Sequence, residues 1–312
     1  MTVVRTVLVT GGCGFIGSHL VDRLIAEGNT VVVLDDLSTG SLDNLDSRAV
    51  FYCGSVADRA FVDKVFARHK IDAVVHEAAH INTSVLTERP SDDVRISVFG
   101  TINLIEASLE AGIGKFLYAS SVAVYGRPAT LPAAEDTPAA PIYSYGIAKM
   151  CAEEYVRFYG AVHNLDCHIL RYGNVYGPRQ PIYGEVGVVA IFTQRVLKNE
   201  PLIVYGDGMH QRDFVFVDDA VEATVRLLDL PGRDTFNVAA GRGITVNELF
   251  DAFERVAESR LIRVEKPERP GEIGKFFSST GKLTHRLGWQ PRVPLAEGIR
   301  RTIAHYRDGA RG

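Results

Sequence analysis

The chain has 312 residues, of which 46% are hydrophobic and 23% charged, as in an ordinary globular protein with one large domain or two modest ones. Its net charge of −4 provides no basic field for nucleic acid or acidic lipid. The four cysteines form no C-x-x-C pair and no apolar run reaches membrane-spanning length, so we expect a cytoplasmic protein.

The first part of the chain alternates short β-branched runs with helix-like stretches. Strands are predicted at 6–10, 30–36, 49–53, 72–76 and 115–121, and helices at 15–27 and 97–112. Continuous apolar strands that alternate with helices form a parallel sheet covered on both faces. The sequence therefore predicts an α/β fold with a Rossmann-type, doubly wound parallel sheet.

A glycine-rich turn, TGGCGFIGSHL at 10–20, separates the first strand from the first helix. Gly11, Gly14 and Gly17 permit a tight turn and a close backbone approach to a pyrophosphate at a helix N-terminus. The spacing differs by one residue from G-x-G-x-x-G, and a glycine cluster alone also fits a plain turn. The strand–turn–helix context favours a dinucleotide site.

The second strand ends in two acids, Asp35 and Asp36, about 20 residues beyond the glycines, where a dinucleotide fold places its ribose-binding carboxylate. A carboxylate there repels a 2′-phosphate, and no arginine adjoins it. NAD is therefore favoured over NADP. The alternative, an exposed acid before the turn at 37–40, suits Asp36 better than Asp35.

The string HEAAH at 76–80 matches the H-E-x-x-H zinc-protease motif. That motif needs both histidines on one helical face, whereas a strand is predicted before it and poor helix formers follow it. We therefore predict no metal site. A strand end is where an open parallel sheet binds ligands, and the small pair Ala78 and Ala79 suits packing against a cofactor. We therefore predict that Ala78, Ala79 and His80 line the cofactor site. A core His76 and a loop His80 form the simplest alternative.

Tyr145 and Lys149 lie four residues apart at the start of a helix predicted over 145–159, which places them on one face. Because a nearby ammonium favours the tyrosinate, we expect a lowered tyrosine pKa and an acid–base pair. Ser120 and Ser121 end the fifth strand and offer hydroxyl donors. Y-x-x-x-K is common by chance, but its order after the glycine turn and the serines favours catalysis.

The second half of the chain has shorter strands and more glycine and proline. A loop is predicted at 128–141, strand pattern at 167–177 and 201–206, a strand–helix unit returning to the sheet at 213–228, and an amphipathic helix at 245–258. We predict an NAD-binding domain over 1–177, to which 213–240 returns. Residues 178–212 and 241–312 are predicted to form a smaller α+β substrate-binding domain.

Eight segments carry a family resemblance over nearly the whole chain: TGGCGFIGSHL, LDDLSTG, ASSVAVYG, YSYGIAK, LRYGNVYGPRQ, IVYGDGMHQRDFVFVDD, ERPGEI and LGWQP. Together they resemble the extended short-chain dehydrogenase/reductase family, and most of all its nucleotide-sugar 4-epimerases of the UDP-glucose 4-epimerase type. The resemblance implies NAD-dependent inversion at C4 of a UDP-hexose, first of all UDP-glucose or UDP-galactose, through a transient 4-keto sugar. It also implies a homodimer that pairs the helices at 97–112 and 145–159.

The resemblance also implies roles for individual residues. Tyr145 would be the acid/base, Lys149 would hold the nicotinamide ribose, and Ser121 would bind the sugar hydroxyl. Further cofactor contacts are implied at Phe15, Ile16, Ser38, Thr39, Gly40, Ser55, Val56, Ser97, Tyr172 and Val175. Further substrate contacts are implied at Asn174, Arg179, Val188, Ile203, Val204, Tyr205, Arg212, Arg269, Glu272 and Phe276.

Some of these positions have a more specific implied role. Phe15 and Ile16 are implied at the pyrophosphate, Val188, Ile203 and Val204 at the uracil, and Arg212, Arg269 and Glu272 at the diphosphate and ribose. Phe276 is implied to close the sugar pocket against an N-acetyl group. The alternative is that Phe276 is a core residue and Phe277 faces the pocket.

The chain departs from the family pattern at Ser55, where an aspartate is usual, and at Ser97, where an asparagine is usual. Dehydratases and decarboxylases of the family carry an acid at the positions of Val122 and Ala123, so an epimerase is favoured. A UDP-glucuronate 4-epimerase stays open, because Arg179 or another basic residue could bind the carboxylate. A non-catalytic NAD(H)-responsive binding protein is the alternative from another class.

Overall fold

The computed structural model describes residues 4–79, 90–181, 187–268 and 273–309. Its strands are β1 Thr6–Thr10, β2 Thr30–Asp35, β3 Val50–Cys53, β4 Ala73–His76, β5 Lys115–Ser121, β6 Asp166–Tyr172, β7 Asn174–Tyr176, β8 Leu202–Tyr205, β9 Gln211–Arg212, β10 Phe214–Phe216, β11 Asp234–Val238, β12 Ile244–Thr245 and β13 Arg263–Lys266.

The helices are α1 Phe15–Ala26, α2 Arg59–Arg68, α3 Gly100–Glu110, α4 Ser144–His163, α5 Val188–Leu197, α6 Val217–Leu228, α7 Val246–Ala257, α8 Gly281–Leu287 and α9 Leu295–Gly309. A helical turn at Pro90–Asp93 and a π-helical stretch at Val94–Phe99 precede α3. Short 3₁₀ turns occupy Leu42–Asn44 and Val122–Tyr125.

The chain divides into two compact units. The first consists of Met1–Gly126, Ala139–Arg171 and Val221–Phe236, and the second of Arg127–Pro138, Tyr172–Ala220 and Asn237–Gly312. The sequence predicted that the chain passes from the first domain to the second at residue 177 and that residues 213–240 return to the first. The roles predicted for the two parts, NAD binding and substrate binding, remain predictions.

A seven-stranded sheet with the order β11-β6-β5-β4-β1-β2-β3 organises the first unit. β1 pairs in parallel with β2 and with β4, and the parallel pairing continues to β3 and β5. The chain thus adds β2 and β3 on one side of β1 and then adds β4 and β5 on the other side of β1. Parallel sheets bind ligands where the strand order reverses, beyond the carboxyl ends of the strands. The Rossmann-type prediction is confirmed.

Burial explains why these strands form a central layer. Val7, Leu8 and Val9 of β1 have no solvent exposure, as expected for a strand covered on both faces. The start of α3 packs closely against the turn after β3, because a Cβ at Gly100 would lie only 2.6 Å from a methyl carbon of Val56. The glycine thus lets the helix backbone approach this turn.

Three features differ from the sequence prediction. Helix α2, which Asp58 caps by accepting a hydrogen bond from the Phe61 N–H, was not predicted. The helix predicted over 97–112 is regular only at Gly100–Glu110. The strand of the unit predicted at 213–228 was expected to return to the large sheet. Instead, this strand, β10, pairs with β7, and the strand that joins the large sheet is β11.

The described part of the second unit contains three two-stranded sheets and packed helices. β7 pairs with β10 and β8 with β13 in parallel, whereas β9 and β12 are antiparallel. The predicted amphipathic helix is α7, which begins with a capping box between Thr245 and Glu248 and buries Leu249 and Phe253. Among the described residues, no helix has the length and apolarity needed to cross a membrane.

Candidate active site

The turn between β1 and α1 has the close approaches that the glycine pattern predicted. Gly11 has a φ of +69°, and a Cβ there would lie 2.8 Å from the Ala78 nitrogen. A Cβ at Gly17 would overlap the Gly11 carbonyl oxygen. Gly14 cannot cap α1 with a side chain, which leaves the N–H groups of the first turn, at Phe15 and Ile16, for an anion. This cradle fits the pyrophosphate of a dinucleotide.

Asp35 anchors that turn from the end of β2. Its carboxylate is buried and accepts hydrogen bonds from the Cys13 N–H at 2.9 Å and the Leu37 N–H at 2.8 Å. Burial raises the pKa of this carboxyl above its ordinary value, although the two backbone bonds oppose the shift. Each carboxylate oxygen has a second lone pair, so Asp35 can also accept from a ribose hydroxyl.

The loop after Asp35 packs against the same turn. Asp36 is exposed and accepts a hydrogen bond from the Ser38 N–H at 3.0 Å, which fits the alternative proposed for it. A Cβ at Gly40 would lie 2.9 Å from the Cys13 carbonyl carbon, and Thr39 before it is exposed. The structure therefore brings the glycine turn, Asp35 and the loop at 36–40 together.

The other predicted cofactor residues of the first unit lie after β3, after β4 and before α3. The Ser55 hydroxyl accepts a hydrogen bond from the Ala57 N–H at 3.3 Å, in the turn that leads to α2. Ser97 is buried in the π-helical stretch. Ala78 and Ala79 are half-buried, whereas His80 lies outside the described residues.

His76 ends β4, so the HEAAH string begins on a strand, as the sequence predicted. Its ring is buried, with Nδ1 2.7 Å from the Thr10 hydroxyl and Nε2 3.0 Å from the Thr101 hydroxyl. Burial, with a smaller effect from Lys149, lowers its pKa to about 3. In the described part of the chain, no group of three or more His, Cys, Asp or Glu side chains has a metal-binding arrangement.

Tyr145, Lys149 and Ser121 are brought together between α4 and the end of β5. The Ser121 side chain lies beside the Tyr145 hydroxyl and acts on its pKa. The Lys149 ammonium lies 5.8 Å from the Tyr145 ring centroid and donates to the Ala119 carbonyl at 2.5 Å. The Ser121 hydroxyl also accepts from the Ala123 N–H at 3.2 Å, which fixes it at the strand end.

The predicted lowering of the tyrosine pKa is wrong for the chain by itself. Burial raises the pKa of Tyr145 to about 12, although the nearby Ser121 hydroxyl opposes the shift. Burial also lowers the pKa of Lys149 to about 8, against the attraction of Glu77 and other nearby carboxylates. Both shifts have the same cause, because a low-dielectric site disfavours whichever form is charged.

The predicted residues of the second unit fall on several elements. Tyr172 ends β6, Asn174 and Val175 begin β7, Arg179 has a φ of +65°, Val188 begins α5, Arg212 ends β9, and Phe276 follows β13. Arg269 and Glu272 lie outside the described residues. Phe276 is held beside β9, because its N–H donates to the Gln211 carbonyl at 3.2 Å.

Two details of the second unit refine the prediction. In β8, Ile203 and Tyr205 are half-buried and Val204 is fully buried, so Val204 faces away from the other two. A uracil base that packs against Ile203 would therefore contact only the main chain of Val204. Phe276 is buried and Phe277 is half-buried, which fits the alternative in which Phe277 faces the sugar pocket.

Sequence reasoning missed several buried acids, among them Glu153 and Asp213. Glu153 lies on the same face of α4 as Lys149, a spacing that could have identified it. Asp213 follows Arg212 and accepts hydrogen bonds from the Ala240 N–H at 2.8 Å and the Ser278 N–H at 3.0 Å. Burial raises its pKa to about 6. Its partners are distant in sequence, so no local signal could have revealed them.

Comparison with known proteins supports this reading of the chain. Residues 7–239 match the NAD dependent epimerase/dehydratase family. The UDP-glucose 4-epimerase of Mycolicibacterium smegmatis is 39% identical over 308 residues, 96% of this chain and 98% of that protein.

Two solved structures are similar over nearly the full length. That of the Thermotoga maritima UDP-glucose 4-epimerase with UDP-glucose has a TM-score of 0.95 and 39% identity, covering 98% of this chain and 99% of that one. That of the Thermus thermophilus UDP-glucose 4-epimerase in complex with NAD has a TM-score of 0.90 and 39% identity, covering 97% and 99%. The chain therefore belongs to the NAD dependent epimerase/dehydratase family.

Proposed function

We propose that this protein interconverts UDP-glucose and UDP-galactose by NAD-dependent epimerisation at C4. The observation that carries the proposal is the group formed by Tyr145, Ser121 and Lys149 at the carboxyl end of β5, in the same unit as the glycine turn. The names of the similar enzymes support UDP-glucose as the substrate.

The first unit would hold NAD. The glycine turn would receive the pyrophosphate, Asp35 would accept from the adenosine ribose, and Lys149 would bind the nicotinamide ribose. When bound, NAD supplies the acceptor that takes the C4 hydride and later returns it. Because the same hydride returns, the net reaction needs no second substrate.

The chain's own groups would move the proton. As a tyrosinate, the form that the positive charges of Lys149 and of bound NAD would favour against the effect of burial, Tyr145 would take the proton of the C4 hydroxyl as the C4–H bond breaks. It would give that proton back to the oxygen when the 4-keto sugar is reduced on its other face. The Ser121 hydroxyl, beside Tyr145, would position the sugar oxygen. Lys149, with a pKa of about 8, is mostly protonated at neutral pH and supplies positive charge beside the ring.

The absence of an acid beside Ser121 favours epimerisation over elimination. Val122 and Ala123 form the 3₁₀ turn that follows Ser121. Neither side chain can transfer a proton at C5 or C6, which a dehydratase needs. The second unit would bind the nucleotide, and Arg212 would suit the diphosphate because guanidinium groups bind phosphate oxygens in bidentate geometry.

A product assay tests the proposed activity. The purified protein with NAD is incubated separately with UDP-glucose, UDP-galactose, UDP-glucuronate and UDP-N-acetylglucosamine, and the products are separated by chromatography. We expect UDP-glucose and UDP-galactose to interconvert. Turnover of the uronate alone would establish the glucuronate alternative, and NAD binding without turnover of any sugar would establish a binding protein.

We also propose that the protein is a cytoplasmic homodimer that pairs α3 and α4 of each subunit. Large apolar side chains are exposed along α4, where Ile147 is 51% exposed, Phe158 55% and Val162 60%. Phe99, in the π-helical stretch just before α3, is 56% exposed. Exposed apolar side chains grouped in this way mark association surfaces. Light scattering at micromolar concentration should give twice the chain mass, and Phe158→Glu should shift it towards one chain. A wild-type mass of one chain would contradict the dimer.

A further inference from the structure

Helix α4 contacts the end of β5 at three points that lie one helical turn apart. The first two belong to the proposed catalytic group: Tyr145 lies beside Ser121, and Lys149 donates to the Ala119 carbonyl at 2.5 Å. Residues four apart share a helix face, so a third contact is expected four residues beyond Lys149. The proposed chemistry does not use that third contact.

Glu153 makes the third contact. The Ser120 hydroxyl donates to its Oε1 at 2.5 Å. Arg171 donates from Nε to Oε1 at 2.9 Å and from Nη2 to Oε2 at 2.7 Å, and Arg157 donates to Oε2 at 2.6 Å. Glu153 has no solvent exposure and Arg171 only 4%, so the pair is a buried, bidentate ion pair.

The surroundings keep the carboxylate ionised and fixed. Burial by itself would raise the pKa of Glu153, but its bonds to Arg171 and Ser120 lower it below its ordinary value. The Arg171 guanidinium also lies 4.7 Å from the centroid of the Tyr125 ring, which closes its other side. Glu153 therefore joins α4, the end of β5 and the end of β6 at one point.

The two neighbouring serines have different partners at the end of β5. Ser120 is buried and Ser121 is half-buried, so only Ser121 is open to a ligand. The single hydroxyl proton of Ser120 is directed at Glu153, whereas Ser121 lies beside Tyr145. This arrangement explains why the chain has two serines where the chemistry needs one.

We propose that Glu153 and Ser120 are positioning residues that fix α4 on β5 and thereby set the contact between the Tyr145 and Ser121 hydroxyls. This inference rests on the proposed function, in which that contact performs the proton transfer. Losing the third attachment lets α4 shift along the strand end. A misplacement of 1 Å costs on the order of 10²-fold in rate, so a smaller shift should cost about tenfold.

The test is Ser120→Ala, which deletes one hydroxyl and leaves the ion pair of Glu153 with Arg171 intact. The matched control is Ser108→Ala, because Ser108 is also buried and donates to the Leu104 carbonyl within α3. We expect kcat with UDP-glucose to fall about tenfold in Ser120→Ala, with KM within about twofold of wild type. Ser108→Ala should keep the wild-type kcat.

A second readout does not depend on the substrate. The ¹³C resonance of the Tyr145 Cζ is assigned by its loss in Tyr145→Phe, and it should move in Ser120→Ala but not in Ser108→Ala. If wild type shows no turnover of UDP-glucose, the proposed function fails while this resonance still tests the positioning. A Ser120→Ala variant that matches Ser108→Ala in the resonance, and in kcat where turnover exists, would overturn the inference.

Discussion

Replacing His76 with glutamine should flatten the acid side of the protein's stability profile. The buried ring has a pKa of about 3, far below its ordinary value of 6.5. The native state therefore stays neutral at pH values where the unfolded chain takes up a proton. Because only the unfolded state gains that proton, the free energy of unfolding falls as the pH drops through 6.5 and keeps falling towards 3.

The hydrogen bonds of the ring give a second reason for this low pKa. The Thr101 hydroxyl donates to the Ser97 carbonyl at 2.5 Å, so it must accept from the Nε2–H of His76. The Thr10 hydroxyl accepts from the Ala78 N–H at 3.3 Å and donates to Nδ1. A protonated ring would donate at both nitrogens, and it would break this series of hydrogen bonds at the Thr10 hydroxyl.

The size of the effect follows from linkage. With pKa values of about 3 in the native and 6.5 in the unfolded state, His76 costs about 2 kcal/mol of stability between pH 7 and pH 5. Urea titrations followed by circular dichroism at the two pH values give the wild-type loss. In His76→Gln that loss should be smaller by about 2 kcal/mol, although the variant is less stable at pH 7 by ~1–3 kcal/mol because it leaves buried partners unsatisfied.

The control for this measurement is Ser108→Ala. Ser108 is buried and donates to the Leu104 carbonyl, so its replacement removes a buried hydrogen bond but no titrating group, and the variant should lose as much stability between the two pH values as the wild type does. Other titrating groups cancel when each variant is compared with wild type. The reasoning would be refuted if His76→Gln lost as much stability between the two pH values as the wild type does.

Tyr145→Phe should lower kcat by about 10²- to 10⁴-fold, with circular dichroism and NAD binding unchanged, because it removes the proton carrier alone; near-normal turnover would exclude this residue as the acid/base. Gly17→Ala should abolish NAD binding by calorimetry, since its Cβ would overlap a backbone oxygen of the turn, whereas Gly114→Ala, with open space around it, should bind normally. If Phe277 closes the sugar pocket, Phe277→Ser rather than Phe276→Ser should raise kcat/KM for UDP-N-acetylglucosamine relative to UDP-glucose, and the reverse result would restore Phe276. A chelator should leave turnover unchanged, and loss of activity together with stoichiometric zinc would establish HEAAH as a metal site.

Local sequence patterns were sufficient for much of the first unit. The period-two and continuous apolar runs predicted β1 to β5, because the alternation and burial of strand side chains depend on the types of consecutive residues. The glycine turn was predictable for a similar reason, since only residues without a Cβ permit those approaches. Helix α2 was missed although its cap, Asp58, is a standard signal.

The site itself depended on contacts between residues far apart in the chain. The sequence placed Tyr145 and Lys149 on one helix face, but their pKa directions come from burial, which spacing does not encode. It offered Ser120 and Ser121 as equals, and only the packing of α4 on β5 assigned Ser120 to Glu153.

The HEAAH string shows the same division most clearly. Its letters match a metal motif, and the strand predicted before it already argued against a helical site. What the string could not contain is the pair of hydroxyls, from Thr10 and Thr101, that engage both nitrogens of His76. These partners lie 66 and 25 residues away in the chain. Sequence determined the local geometry at this position, whereas the fold, by bringing distant groups into a water-free interior, decided which proton and which charge each group holds.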